Sequence, residues 1–405
     1  MNTVSGAVHS ANPFTEQVSV EYFVGREPEL RQFAADLAGL KRGTPNQQYV
    51  AGLHGTGKTI FLAKLVEMAR AEGLIAALPT LDAGALSTSH ISTLLRSVIA
   101  EVEKTLKPSL NASILRDWDS GKDCKYFGHP RSDELRSDCV RQDFEQIARF
   151  MDEGKIAGAV ICIDEGQRID GRALSALKNA LQHHTRFLIV ISLRLSTDSG
   201  GAVVSGRTLL QSKAATEAEG DIGASRFYTT GIGLGPFGTD SEAEQCIRKR
   251  LTGNVVQFDD SVIDRVIRIS GRTPGNLIVL SNAVYNRARA EQHQKAGLQL
   301  LNDAFRDMYR ARVAEALKQV ENSPTPAKAA LKGLIGLRRP AAAPAIAAYL
   351  YPQHPPDICS QLTTGIQGNL DRFCKGCSMC VQNGDNFDIP DPVDAYALEL
   401  ALIPA

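Results

Sequence analysis

The chain has 405 residues, which is enough for two or three domains with a substantial buried core. Hydrophobic residues make up 43% and charged residues 22%, a composition that argues against a disordered, collagen-like or coiled-coil protein. Lys and Arg together number 45, and so do Asp and Glu. The overall charge therefore does not indicate a polyanionic partner, and any surface that binds nucleic acid would have to be a local patch.

The first residues and the apolar runs carry no sign of secretion or of a membrane span. Residues 1–14 mix polar side chains with Pro13 before any hydrophobic run forms. The apolar runs at 158–163 and 187–193 are far shorter than the ~18 residues that a membrane-spanning helix needs. The eight cysteines are dispersed along the chain, which fits reduced thiols. We therefore expect a cytoplasmic protein with no membrane partner.

Strands and helices alternate over the first part of the chain. Residues 1–20 show no periodicity and are predicted to be a mobile tail, and a helix with acidic residues and a proline in its first turn follows from Glu27. Predicted strands are 48–53, 74–81, 159–163, 187–193 and 226–232, and predicted helices are 60–72, 91–106, 140–153 and 172–183. This alternation of helices with apolar strands predicts an α/β domain over 21–235, with a parallel sheet covered on both faces. The polar segment at 107–138 is predicted to be a surface insertion, and 196–225, rich in Gly, Ser and Ala, is predicted to be a long loop or a loosely helical arm.

From about Pro236 the pattern changes to helices. Helices predicted at 241–251, 261–270, 276–292 and 298–320 indicate an all-helical domain over 236–321. A linker at 322–326 then leads to the predicted third domain, 322–405. Its predicted elements are helices at 327–337, 341–350 and 356–372 and a hairpin whose turn is 383–386. Three helices and a hairpin suggest a winged helix.

Residues 52–59, GLHGTGKT, match the phosphate-binding pattern G-x-x-x-x-G-K-[ST]. They lie between a predicted strand and a predicted helix, which is the context that this pattern requires. The glycines would let backbone amides face phosphate oxygens, Lys58 would reach the β and γ phosphates, and Thr59 would ligate magnesium. An ordinary glycine turn is the alternative. The predicted nucleotide-binding residues here are Gly52, His54, Gly55, Thr56, Gly57, Lys58, Thr59 and Ile60.

A second motif is an apolar strand that ends in two acids, AVICIDE at 159–165. Asp164 would hold magnesium, and Glu165 would orient and deprotonate the attacking water for displacement at the γ phosphate. The alternative is a strand followed by the acidic cap of a helix. The two motifs together predict a site for ATP and Mg²⁺.

With these two motifs, the sequence resembles the AAA+ and STAND branch of P-loop ATPases, and especially its origin-recognition-like and archaeal-type members. FVGREPEL at 23–30 is similar to the segment that lines the adenine pocket in these families, which implies a nucleotide-binding role for Gly25 and Arg26. ISLR at 191–194 resembles the sensor strand, so Ser192 and Arg194 are implied to sense the γ phosphate, although a solvated strand-end arginine is the alternative. The resemblance implies a five-stranded parallel sheet, a helical lid and often a winged helix.

A further similarity lies at SGRTPGN, 270–276, where the resemblance places Pro274 near adenine. Many AAA+ proteins carry an arginine directly after this proline, whereas this chain has Gly275. Arg272 could replace that arginine only from a different geometry. This departure favours the STAND or origin-recognition-like side of the group.

Winged helices of these families can bind DNA, but this sequence is ambiguous. The helix expected to enter the groove, 356–372, carries Asp357 and Asp371 and only Arg372 as a cation, which makes it a poor reader of DNA. Basic residues nearby that could contact the DNA backbone are Lys328, Lys332, Arg338, Arg339 and, in the predicted wing, Lys375. A face used for protein contact or autoinhibition is the alternative.

The C-terminal cysteines form a candidate zinc site. Cys374, Cys377 and Cys380 have the spacing C-x-x-C-x-x-C, and Cys359 precedes them, so four thiolates could surround one zinc ion. The alternative is that Cys377 and Cys380 are small hydrophobic residues of a wing strand. A weaker candidate set in the insertion consists of Cys124, His129 and Cys139.

Three hypotheses for function follow. The first is an ATP-hydrolysing switch whose nucleotide state controls a homo-oligomer or a protein partner. The second is a DNA-binding AAA+ regulator of replication, transposition or repair. The third is a nucleotide-bound signalling or defence scaffold with little turnover.

Overall fold

The computed structural model describes residues 12–15, 19–79, 81, 87–106, 137–169, 171–182, 184–195, 230–354 and 356–402. The chain divides into two compact units: a sheet unit, 17–237, and a helical unit, 1–16 with 238–405. Most of the predicted insertion and the whole predicted loop at 196–225 lie outside the described residues. None of the helices in the described ranges is long and apolar enough to span a membrane.

The sheet unit is built on five parallel strands. They are β1 (Gln48–Gly52), β2 (Ile75–Ala77), β3 (Ala159–Ile163), β4 (Phe187–Arg194) and β5 (Thr230–Gly233). Their order across the sheet is β2-β3-β4-β1-β5. The predicted α/β fold with a parallel five-stranded sheet is therefore confirmed.

Helices connect the strands and bury both faces of the sheet. Those described are α1 (Glu27–Lys41), α2 (Lys58–Ala71), α3 (Ser87–Leu106), α4 (Ser137–Glu153) and α5 (Gly171–Leu181). Within β3, Val160 and Cys162 join the apolar cluster formed with α1 and α2, whereas Ile161 and Ile163 join the cluster formed with α3, α4 and α5. Successive strand residues point to opposite faces, so each face has its own core.

The helical unit contains more breaks than the sequence predicted. Its first elements are α6 (Asp240–Leu251), β6 (Gln257–Phe258), α7 (Asp260–Ile269), α8 (Pro274–Ala290), β7 (Lys295–Ala296), α9 (Leu298–Met308) and α10 (Arg310–Glu321). The prediction of one helix over 298–320 is wrong, because Tyr309 leaves helical geometry at φ −115° and ψ 36°. Its ring packs against Phe305 at 4.7 Å, so a tertiary contact stabilises the break. The two-residue strands β6 and β7 pair in parallel and were not predicted.

The C-terminal part of the helical unit combines three helices with a small sheet. Its elements are α11 (Thr325–Leu337), β8 (Ala341–Ala342), α12 (Ala343–Leu350), α13 (Pro356–Gly376), β9 (Val381–Asn383), β10 (Asn386–Asp388) and α14 (Pro392–Ala401). The antiparallel β9–β10 hairpin turns at Gly384, with φ +61°, as predicted. The placement of Lys375 in a wing is wrong, because α13 continues through it to Gly376. The boundary at 321/322 stays a prediction, since both parts lie in one compact unit.

The N-terminal segment is packed where a mobile tail was predicted. Phe14 is fully buried, with its ring stacked on Phe258 at 5.7 Å and edge-on to Tyr285 at 6.1 Å. The guanidinium of Arg250 donates to the carbonyl of Pro13 at 2.8 Å. The prediction of a tail over 1–20 is thus wrong for residues 12–15. The sequence around Phe14 shows no hydrophobic periodicity, because a single buried aromatic residue does not create a repeating pattern.

We expect Phe14→Ala to lower the free energy of unfolding by about 3–5 kcal/mol, because it empties a buried aromatic site. Chemical denaturation measures this change. Val279→Ala in the same unit is the control, since Val279 is 45% exposed and its truncation should have little effect. Equal stabilities of the two variants would show that residues 12–15 do not pack against the rest of the helical unit in solution.

Candidate functional site

The glycine-rich loop joins the end of β1 to the start of α2. Gly55 and Gly57 have φ of +79° and +86°, a left-handed backbone that favours glycine. A Cβ on Gly52 would lie 2.5 Å from both the carbonyl oxygen of Leu234 and the hydroxyl of Thr56. The loop thus needs glycine at these positions. Its backbone amides come directly before the N-terminus of α2, where the helix dipole favours an anion. The hydroxyl of the buried Thr56 donates to Leu53 O at 2.9 Å, and His54 is exposed.

Lys58, the first residue of α2, is held against this loop. Its Nζ donates to the carbonyls of Gly52 at 3.0 Å and Leu53 at 2.9 Å. Burial lowers the pKa of the Lys58 ammonium, and the positive charge of Arg194 lowers it further, while the charges of Glu165 and Asp164 raise it. The charges of Asp164, Glu165 and Arg194 therefore act on the same ammonium group.

Asp164, directly after β3, connects three predicted site residues. Its Oδ2 accepts from Thr59 Oγ1 at 2.6 Å, and its Oδ1 accepts from Ser192 Oγ at 2.5 Å. The Ser192 side chain is fully buried on β4, and its hydroxyl also accepts from the Glu165 amide at 2.9 Å. The parallel register brings these elements together, because β4 lies between β3 and β1 and pairs Arg194 with Gly52.

Glu165 is fixed by a side chain that the sequence analysis did not identify. Glu165 has a left-handed backbone, φ 51°, and its Oε2 accepts from the amide Nε2 of Gln167. The Oε1 of Gln167 in turn accepts from the backbone N–H of Arg194 at 3.2 Å. Gln167 thus joins the Glu165 carboxylate to the end of β4. The only sequence signal was a polar residue two positions after the paired acids.

We expect Gln167→Ala to lower the turnover rate of ATP by about 10-fold without changing KM, because a hydrogen bond to a carboxylate that positions it is lost. Steady-state phosphate release measures both constants. Gln142→Ala, on the exposed face of α4, is the control. A rise in KM at constant turnover would instead place Gln167 in nucleotide binding.

The segment before α1 approaches the loop through Arg26. Its guanidinium donates to Thr56 O at 3.4 Å and also to the carbonyl of Gly235, and it lies 5.4 Å from the ring centre of Phe237. Gly25 and Arg26 both have left-handed backbones, with φ of 68° and 67°. The predicted residues Gly25 and Arg26 thus lie beside the glycine-rich loop. Their role in holding adenine stays a prediction.

Comparison with known proteins identifies the part of the chain that carries the glycine-rich loop and the paired acids. Residues 22–191 match the family model described as "AAA ATPase domain". Residues 22–191 form an AAA ATPase domain. The motifs suggested a resemblance to P-loop ATPases, and this match confirms it. The match supports a nucleotide-binding ATPase. None of the curated proteins matches the chain.

Several solved structures are similar to the chain at low sequence identity. The ORC2 protein of Aeropyrum pernix, in ADPNP-ADP complexes, is 12% identical, with a TM-score of 0.51 and coverage of 96% of this chain and 97% of that chain. The A. pernix ORC1 protein in complex with DNA is 18% identical, with a TM-score of 0.43 and coverage of 94% and 92%. The Thermotoga maritima RuvB Holliday junction branch migration motor is 15% identical, with a TM-score of 0.44 and coverage of 96% and 100%.

Pro274, which the resemblance places near adenine, and Arg272 both belong to the helical unit. Pro274 is the first residue of α8, and Arg272 lies in the preceding turn with φ 60°. The guanidinium of Arg272 donates to Gly238 O at 3.0 Å and lies 3.8 Å from Asp240. Roles for Pro274 and Arg272 in nucleotide binding stay predictions.

The structure gives no support to the zinc predictions. Cys374 and Cys380 form a disulfide with Cα atoms 5.0 Å apart, so two of the four proposed thiolates are paired with each other. Cys377 is buried and free, and the side chain of Cys359 lies outside the described residues. Cys139 is buried on α4, whereas Cys124 and His129 are not described. Over the described ranges, no three His, Cys, Asp or Glu side chains cluster as a metal site would require.

Proposed function

We infer that the chain is an ATP-hydrolysing molecular switch of the AAA+ and STAND type, whose nucleotide state controls oligomerisation. The observation that carries this proposal is the connected set Thr59, Asp164, Ser192 and Glu165, next to the ammonium of Lys58. The groups that we propose to bind phosphate, hold the metal and accept the proton are thus adjacent in the sheet unit.

The oxygen atoms of Thr59 and Asp164 fit magnesium. A hydroxyl and a carboxylate whose oxygens are 2.6 Å apart are the hard oxygen ligands that this ion prefers. When bound, magnesium would neutralise charge on the β and γ phosphates. Ser192 donates to the other carboxylate oxygen, Oδ1, and so restricts the orientation of the Asp164 carboxylate.

Glu165 is the proposed proton acceptor. Its carboxylate would orient the attacking water for in-line attack at the γ phosphate and would accept its proton. The hydrogen bond from Gln167 restricts the position of this carboxylate. Lys58 and the amides of the loop would bind the phosphates, and Arg194, whose charge acts on Lys58, would respond to loss of the γ phosphate.

Oligomerisation would place an arginine of a neighbouring subunit at the phosphates, as in other P-loop enzymes that receive one in trans. Light scattering of Glu165→Gln protein tests this. We expect a larger assembly with ATP and magnesium than with ADP, because this variant would retain ATP, and no such difference for Lys58→Ala. The same mass in both nucleotides would contradict control of oligomerisation.

DNA is the alternative partner. On α13, the acids Asp357 and Asp371 precede the cations Arg372 and Lys375, so the charge of this helix does not itself favour DNA. Adding double-stranded DNA to the ATPase assay separates the two accounts. Turnover raised by DNA would favour a DNA-dependent ATPase, and turnover indifferent to DNA would favour a protein partner.

A further inference from the structure

The helical unit contains a cavity of about 580 Å³ that the ATPase site does not involve. Its walls come from α7, the turn before α8, the end of α11 and α14. Its volume is in the range of about 300–1,000 Å³ that is typical of sites for small molecules.

Arginines dominate the charge of this cavity. The guanidinium groups belong to Arg265, Arg268, Arg272, Arg338 and Arg339. The three acids in the lining are Asp240, Asp388 and Glu399. The cavity therefore has an excess of positive charge.

Two of the five arginines are neutralised within the unit. Arg265 Nη1 lies 2.5 and 2.6 Å from the two carboxylate oxygens of Glu399, and Arg272 faces Asp240 at 3.8 Å. Arg268, Arg338 and Arg339 make no ion pair with a carboxylate of the described chain. Three guanidinium groups thus line one cavity without a carboxylate of their own.

The cations act on one another. The pKa of the Arg268 guanidinium is lowered first by burial and then by the charges of Arg338 and Arg265, and Glu399 and Asp264 offset this only in part. Arg338 directly follows α11 and has a left-handed backbone, with φ 55°. Arg338 and Arg339 both line the cavity wall. An anion between these groups would relieve their repulsion.

We propose that this cavity binds a small molecule that carries two or more phosphates. Guanidinium groups bind phosphate oxygens through paired, charge-assisted hydrogen bonds, and a diphosphate can engage Arg268 and Arg338 together. The acids Asp240, Asp388 and Glu399 in the same lining disfavour a continuous polyanion such as DNA. A compact anion can contact the arginines and avoid these acids.

Calorimetric titration of the full chain with pyrophosphate tests the proposal, with Lys58→Ala as the background so that the glycine-rich loop contributes little. We expect saturable binding that weakens by about 10-fold or more on adding Arg268→Ala or Arg338→Ala. Arg338→Lys should weaken it less, because the charge remains. Arg310→Ala is the control, since the Arg310 side chain is 86% exposed and lies outside the cavity.

Two results would overturn the proposal. One is an absence of saturable pyrophosphate binding by the Lys58→Ala protein while its thermal unfolding shows that it is folded. The other is equal affinity in the cavity variants and in Arg310→Ala. If the cavity variants lose affinity for double-stranded DNA but not for pyrophosphate, the arginines form a nucleic-acid surface and the small-molecule site is rejected.

Discussion

Glu165→Gln should reduce phosphate release from ATP by about 100- to 10,000-fold while nucleotide remains bound. The amide keeps the shape of the side chain and its contact with Gln167, but it cannot accept a proton from water. The backbone amide of Glu165 would still donate to Asp164 and Ser192, so the connected set around the metal ligands would persist. Single-turnover phosphate release and equilibrium binding of a fluorescent ATP analogue measure the two effects separately.

The matched control for this variant is Glu145→Gln. Glu145 lies on α4, 44% exposed, and pairs with Arg141 at 3.7 Å, so its neutralisation should leave turnover unchanged. Turnover that survives in Glu165→Gln would show that another group accepts the proton. Loss of binding together with turnover would instead indicate that the substitution disrupts the site.

Lys58→Ala should weaken ATP binding by about 100-fold or more, because two charge-assisted hydrogen bonds to phosphate oxygens would be lost. Lys58 is only 7% exposed, and its ammonium is held at the loop by two carbonyls, so little reorganisation is needed to reach a phosphate. Isothermal titration with ATP and magnesium measures the change.

Lys64→Ala provides the comparison for this second variant. Lys64 lies on the same helix but pairs with Glu67 at the surface, 2.6 Å away, and its loss should not alter affinity. If both lysine variants bind ATP as tightly as the wild type, the glycine-rich loop is not the nucleotide site.

The sheet unit was predictable because each of its signals is local. Buried parallel strands are continuous apolar runs, and β3 and β4 are read directly from the sequence. The glycine-rich loop has glycines at fixed positions. Gly55 and Gly57 are needed because the backbone has positive φ at both. Asp164 and Ser192 meet in the structure because the adjacent parallel strands β3 and β4 end at the same edge of the sheet.

The features that were missed depend on contacts between residues distant in sequence. Phe14 packs against Phe258 and Tyr285, and nothing near Phe14 in the sequence indicates either partner. The apolar periodicity continues on both sides of Tyr309, so the periodicity alone predicts one helix and does not reveal the break. The role of Gln167 depends on the strand order, because its side chain joins Glu165 to the end of β4 and these two are distant in sequence.

The most direct test of the account is phosphate release from ATP and magnesium by the wild-type chain, with and without double-stranded DNA, beside Lys58→Ala. The account predicts magnesium-dependent release by the wild type that Lys58→Ala abolishes. A wild-type chain that retains bound nucleotide but releases no phosphate in either condition would contradict it, and a nucleotide-bound scaffold would then be the better description.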